Sequence, residues 1–212
     1  MRLPVCALLA LPVATLLTLA PLSTAPAQSV SPAPRPAAGM VRVRITTTLG
    51  DIVADIDSAR APGTATNFLR YVDSAAYQGG RFHRTVTPDN QPRDSVRIEV
   101  IQGGPNPQRI GARWPAIPLE RTRDTGLRHR DGTLSMARGG PDSATSDFFI
   151  CVGDQPSLDF GGLRNRDGQG FAAFGQVVQG MDIVRAIQRQ PANAQTLTPA
   201  VSITYIRRVP PA

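Results

Sequence analysis

Short runs of alternating apolar and polar residues, cut apart by glycine and proline, limit what this chain can fold into. Val41, Val43 and Ile45 alternate with Arg42, Arg44 and Thr46, the period-two pattern of a strand with one buried face. Leu49-Gly50-Asp51 reads as a turn and residues 52–56 alternate again, so the chain opens on a hairpin. Further strands are read over 81–86, over 96–102 with Val96, Ile98, Val100 and Gln102 on one face, and over 201–209, the last pairing with the first. Thr133-Leu134-Ser135-Met136 and Phe148-Phe149-Ile150-Cys151 enclose a loop of Gly, Pro, Asp, Ser and Thr, which makes a hairpin with a long connection. Two segments have helical spacing. One starts at Pro62, carries Phe68, Leu69, Tyr71 and Val72, and ends at Gly79-Gly80; the other spans 181–189 with Met181, Val184 and Ile187 on one face. Residues 105–130, with Pro105, Pro107, Pro115 and Pro118, read mostly as loop. Many short strands with two short helices imply an all-β barrel or sandwich.

The first 40 residues follow other rules. Arg2 is the only charge in residues 1–27, residues 5–19 are almost wholly apolar, and Ala25-Pro26-Ala27 is a small-residue cleavage site. This is the pattern of a signal peptide over 1–27, which predicts a periplasmic or secreted protein with no stable membrane insertion after cleavage. Residues 28–40 are rich in Pro, Ala and Ser and read as a linker, leaving 41–209 as the folded domain. Outside the leader the sole cysteine is Cys151, so no internal disulfide is expected. His83 and His129 are the only histidines, which argues against a metal centre, and no cofactor is expected. All 23 basic residues are arginine, and the net charge is +7. They are scattered among aspartates with no long run, so they read as a solvated surface, and no nucleic-acid partner is expected.

Several ordered motifs point further. Phe82-His83-Arg84, Gln102-Gly103-Gly104, GTLSMA over 132–137, FFIC over 148–151, and Phe174-Gly175-Gln176-Val177-Val178 followed by Gly180-Met181-Asp182 together resemble cyclophilin-type peptidyl-prolyl isomerases. The likeness covers about residues 41–209. It implies a closed eight-stranded antiparallel barrel, a short helix capping each end, and an active groove on the outer wall. It also implies proline-containing polypeptides as substrates, and the chain is expected to be a monomer. By the resemblance, Arg84 is the catalytic arginine and Gln102 the residue that holds it. Phe149 is the floor of a proline pocket, and Ala137 and Arg138 line the strip beside the residue before proline. Phe82, Ile98, Val100, Asp147, Leu158 and Phe171 are expected along the same substrate site.

The implied reaction needs little from a protein. Rotation about an X–Pro bond meets a barrier of roughly 20 kcal/mol and forms no covalent bond. As the bond twists, amide resonance is lost and the prolyl nitrogen becomes able to accept a hydrogen bond. A donor aimed there favours the twisted state over both planar ones. An arginine, always charged and rigidly forked, suits that task.

This sequence also departs from the family pattern. Arg84 and Gln102 are 18 residues apart in the chain, where about eight is usual, so the hairpin between them carries an insertion. Glu99 falls where a pocket phenylalanine is expected, Val100 where a methionine is usual, and Asp147 where a glutamine is common. Ser157 replaces a tryptophan and Phe171 a histidine. Glu99 and Asp147 favour a second reading, a cyclophilin-fold peptide-binding module or chaperone with little turnover. A serine hydrolase built from Ser135, His83 and an aspartate is a distant third, because the sequence has no nucleophile elbow of the G-x-S-x-G kind.

Overall fold

A computed structural model describes residues 35–109 and 114–210. The leader and most of the linker expected from the sequence lie outside the described residues.

Strands β1 (Met40–Thr47) and β2 (Gly50–Asp57) form the opening hairpin, in register from Met40 opposite Asp57 to Thr47 opposite Gly50. Val43, Ile45, Ile52, Ala54 and Ile56 are fully buried, as the alternation requires. Arg42, read as solvent-facing, is buried too. It sits directly opposite Asp55 and donates from Nε and Nη2 to that carboxylate at 2.7 and 2.9 Å. A forked pair of this kind keeps the outer face polar while covering it.

The remaining strands are β3 (Gly80–Val86), β4 (Val100–Gly104), β5 (Thr133–Met136), β6 (Phe148–Cys151), β7 (Ala173–Gln179), the two-residue β8 (Ala192–Asn193) and the long β9 (Thr196–Arg208). Every pairing is antiparallel, in the order β1-β2-β7-β5-β6-β4-β3-β9, and β9 returns to pair with β1. Eight strands thus close into a barrel, and β8 is an appendage on β9. The expected closure by the last strand is present, as is the expected hairpin of β5 and β6.

Two helices cover opposite ends of β2. Helix α1 (Pro62–Asp73) follows its C-terminal end, with Pro62 in the first turn and Phe68, Leu69, Tyr71 and Val72 buried. No side chain within the helix caps it. The carboxylate of Glu120 instead accepts from the backbone N–H groups of Gly63 and Thr64 at 3.0 and 2.7 Å, a negative charge where the helix dipole favours one. After a one-turn helix α2 (Thr122–Thr125), helix α3 (Met181–Gln188) buries Val184 and Ile187 and lays Ile183 against Gly50, where β2 begins.

Inside the barrel, Phe148 meets Phe68, Tyr77 and Phe82 edge-on at centroid distances of 5.4, 5.6 and 5.8 Å. A second, smaller apolar cluster lies apart from this core: Val86, Ile98, Val100, Phe149, Cys151 and Leu158, with Ala137 and Phe171 against it. Neighbouring residues of β6 therefore serve two different clusters.

Two expectations need correction. The strand read over 96–102 begins only at Val100, because residues 96–99 belong to the inserted loop. Helix α1 ends at Asp73 rather than at Gly79, since its apolar stripe stops at Val72 and Ala75 takes a positive φ of 56°. The described residues of 105–130 are mostly loop, as read, with α2 and an isolated bridge between Ile117 and Ala144 inside that stretch.

Candidate active site

Strict alternation along β3 would put Phe82 and Arg84 on the same face. A bulge between them, seen in the pairing of β3 with both β4 and β9, re-aims the strand. Phe82 is expected at the substrate site but lies fully buried in the barrel, opposite Gly103. Arg84 lies opposite Gln102, and Gln102 lies opposite Phe149 of β6, so these three share the outer wall.

The Arg84 guanidinium is held on two sides. Nη1 donates to Gln102 Oε1 at 2.9 Å, while Nε and Nη2 both donate to Gln195 Oε1, at 2.9 and 2.6 Å. Three of its five N–H bonds are thus engaged, leaving one on Nη1 and one on Nη2. Gln195, in the turn between β8 and β9, is itself pinned, with its Nε2 donating to Asn90 O at 3.2 Å and its carbonyl accepting from Thr85 N at 2.9 Å. Burial, and then the positive charge of nearby Arg164, lowers the pKa of Arg84, although a guanidinium stays charged in proteins.

Beside Arg84 lies a depression of about 270 Å³, whose apolar lining is Ile98, Val100, Ala137, Phe149, Leu158 and Phe171. The rings of Phe149 and Phe171 meet edge to face at 5.4 Å and form a floor and a wall. Glu99 does not line this depression. Its carboxylate accepts from Gln188 Nε2 at 3.1 Å, near the end of α3, and Ile98 supplies apolar surface in the groove instead. Arg138 lines the groove as a strut: Nε donates to Gly170 O, Nη1 and Nη2 grip Asp167 at 2.7 and 3.0 Å, and its guanidinium sits 5.0 Å from the centre of the Phe171 ring. Asp147, expected at the substrate site, lines a different depression with Arg81, His83 and Ser146, its carboxylate 3.8 Å from His83 Nε2. It also fills the space that a side chain on Gly104 would need, which explains the glycine there.

The comparisons with known proteins agree. The family model for cyclophilin type peptidyl-prolyl cis-trans isomerase/CLD matches residues 42–208. The chain belongs to this family. It is 37% identical over 150 residues to the peptidyl-prolyl cis-trans isomerase cyp18 of Streptomyces antibioticus, covering 70% of this chain and 84% of that protein. It is 36% identical over 140 residues to peptidyl-prolyl cis-trans isomerase B of Escherichia coli, covering 66% and 79%. The crystal structure of a Cryptosporidium parvum cyclophilin superposes with a TM-score of 0.65 at 23% identity, over 82% of this chain and 99% of that one, a likeness of fold. A structure of that cyclophilin in the presence of the dipeptide Ala-Pro gives a TM-score of 0.63.

In this cyclophilin a buried polar chain backs the groove. His129 stacks on Phe149 at 6.1 Å and 15°; its Nδ1 lies 2.8 Å from Asp159 Oδ1 and its Nε2 2.9 Å from Ser135 Oγ. The order Asp-His-Ser is that of a hydrolase triad, but Ser135 is 0% exposed, so no substrate carbonyl can reach its oxygen. The partner of Ser135 is His129 and not His83, and the hydrolase reading has no support in this geometry. Burial alone would raise the Asp159 carboxyl, but hydrogen bonds from His129 and the nearby Arg128 guanidinium outweigh it, and its pKa falls below the usual value. A group depressed in this way stabilises the fold above its unfolded pKa and loses that contribution as pH falls through the folded one. Asp159→Asn should therefore cost about 1.5–3 kcal/mol at pH 7. The difference from wild type should shrink below about pH 4. Urea titrations at pH 7 and pH 3 check both, and an equal cost at the two values would refute the role given to Asp159.

Sequence reading missed Gln195, Arg164 and Asn165. Gln195 reaches Arg84 across 111 residues, and Arg164 and Asn165 enter the groove from the irregular segment 160–170. None of the three has a local pattern that would have announced it.

Proposed function

We propose that this peptidyl-prolyl isomerase works through Arg84, and that its substrates are exported proteins met outside the cytoplasm. The observation that carries the first part is a guanidinium fixed by two neutral amides, with two N–H bonds left over, beside an apolar depression. The proline ring enters against Phe149, Leu158 and Phe171, where its burial contributes binding without favouring either planar isomer. The free N–H bonds of Arg84 meet the prolyl nitrogen only once the bond has twisted and that nitrogen has become an acceptor. Gln102 and Gln195 hold the donor in place beforehand, so little reorganisation accompanies the rotation. Glu99 and Asp147, the residues that favoured a binding module without turnover, line other surfaces.

Exchange spectroscopy on a blocked Ala-Ala-Pro-Phe peptide tests the catalytic part. Acceleration above the spontaneous rate is expected, and saturable binding without acceleration would move the reading to the peptide-binding module. The export part rests on residues 1–27 alone. Expressed in a bacterium with a working secretion system, the protein should be recovered outside the cytoplasm with its first residue near Gln28. Mass spectrometry finding only chains that begin at Met1, in the cytoplasm, would overturn it.

A further inference from the structure

The inserted loop between β3 and β4 is wound around one buried side chain. Gln91 donates from Nε2 to the carbonyls of Thr87 and Ile98, each at 2.7 Å, and its Oε1 accepts from Ile98 N at 3.2 Å. That same Oε1 accepts from Arg164 Nη1 at 3.0 Å. Arg164 Nη1 also donates to Val96 O at 2.7 Å and lies 3.1 Å from Asp94 Oδ2. The Arg164 backbone is tied as well, its N–H donating to Ser157 O at 3.2 Å. The insertion therefore positions an arginine from a distant loop at the groove, where its side chain is only 14% exposed.

All of the side-chain contacts of Arg164 fall on Nη1. The three N–H bonds on Nε and Nη2 have no acceptor among the described residues. Arg138 differs, for its Nε, Nη1 and Nη2 are all occupied and its side chain is 1% exposed. The charges around the groove do not balance either. Arg164 faces Asp94 and Arg138 faces Asp167, whereas the two partners of Arg84 are uncharged amides. Three guanidiniums against two carboxylates leave the depression positive.

We infer that Arg164 is a specificity-determining residue, whose open edge takes a substrate carboxylate lying beside the proline. This rests on the isomerase reading above and adds a preference within it: an acidic residue next to proline is turned over better than its neutral isostere. The carboxylate has two sources, an acidic side chain flanking the proline or the free C-terminus of a peptide that ends there.

Two sets of peptides separate these sources. In one, both termini are blocked and Glu, Gln or Lys stands immediately before or immediately after proline; in the other, a Gln-Pro peptide carries a free or an amidated C-terminus. Exchange spectroscopy at low salt should give kcat/KM about tenfold higher for Glu than for Gln at one flanking position, the scale of a charge-assisted pair. The ratio should fall as ionic strength rises. In Arg164→Gln it should approach one, and in Asp94→Asn, which removes the competing carboxylate, it should increase. If the free C-terminus alone is preferred, the source is the chain end. Ratios within twofold of one for every pair, or a ratio unchanged in a folded Arg164→Gln variant, would overturn the inference. Should Arg164→Gln fail to fold by circular dichroism, Asp94→Asn decides: an unchanged ratio refutes it. Turnover of the Gln peptide without preference sinks this inference and leaves the isomerase reading intact. If no peptide is turned over, the isomerase reading fails, and calorimetric Glu-to-Gln affinity ratios still decide the role of Arg164.

Discussion

Arg84→Ala is expected to lower kcat/KM on an Ala-Pro peptide by about 10²–10³-fold, the usual loss when one preorganised donor is removed. The fold should survive, because Arg84 lies on the outer wall and its hydrogen bonds run to two glutamine side chains rather than into the barrel core. Arg84→Lys should recover little, since one ammonium on a flexible stem cannot hold Gln102, Gln195 and a substrate nitrogen together. The supporting amides should behave as a set. Gln195 accepts from two of the arginine's nitrogens and Gln102 from one, so Gln195→Ala should do more damage than Gln102→Ala. Neither loss should add to that of Arg84→Ala, because both act through the same group. Circular dichroism establishes the fold of each variant, and exchange spectroscopy measures the rates. A folded Arg84→Ala protein within a few-fold of wild type would remove Arg84 from the mechanism.

Phe148→Ala carries the largest expected effect on stability, about 3–5 kcal/mol. The Phe148 ring is fully buried and touches three other aromatic rings, contributed by α1, by the segment after α1 and by β3. Its removal opens a cavity at a point where three parts of the chain meet, and such a site collapses poorly. For a domain of this size the melting temperature should drop by roughly 10 °C. Phe149→Ala, one residue along, should cost less stability and more activity, because that ring belongs to the groove cluster. Urea unfolding of both variants decides the matter, and a loss below about 1 kcal/mol for Phe148→Ala would mean that the core is organised elsewhere.

This pair also shows how far the sequence could be read. Period-two alternation in Phe148-Phe149-Ile150 requires one phenylalanine inside and one outside, and β6 places them so. The same logic located β1, β2 and the closing strand. It gave no warning about Phe82, which the resemblance put at the substrate site, because a bulge spends one residue without turning the strand over and nothing in Phe82-His83-Arg84 marks where that happens. It failed over 96–99, where Val96 and Ile98 alternate correctly but Gln91 captures the backbone of Ile98 and withholds it from the sheet. Glu99 looked like a misplaced charge in the pocket for the same reason: without the path of the loop, its position along the chain gave the wrong direction for its side chain. The second grip on Arg84 was beyond reach, since a contact between β3 and a turn 111 residues later leaves no trace in either segment.

The closure of β1 onto β9 has a consequence for the company this protein keeps. Chains that have not finished folding carry unpaired N–H and C=O groups in search of a strand to extend, and the reading proposed above sets this isomerase among them. An open sheet working among them would offer a template at each edge. Here every strand of the barrel has a neighbour on both sides, and among the described strands only β8, of two residues, has a neighbour on one side alone. The groove, for its part, is lined by short, separate pieces of β3, β4, β6 and three loops rather than by one continuous strand edge. A client can therefore be held by its proline and released, with no sheet for it to join.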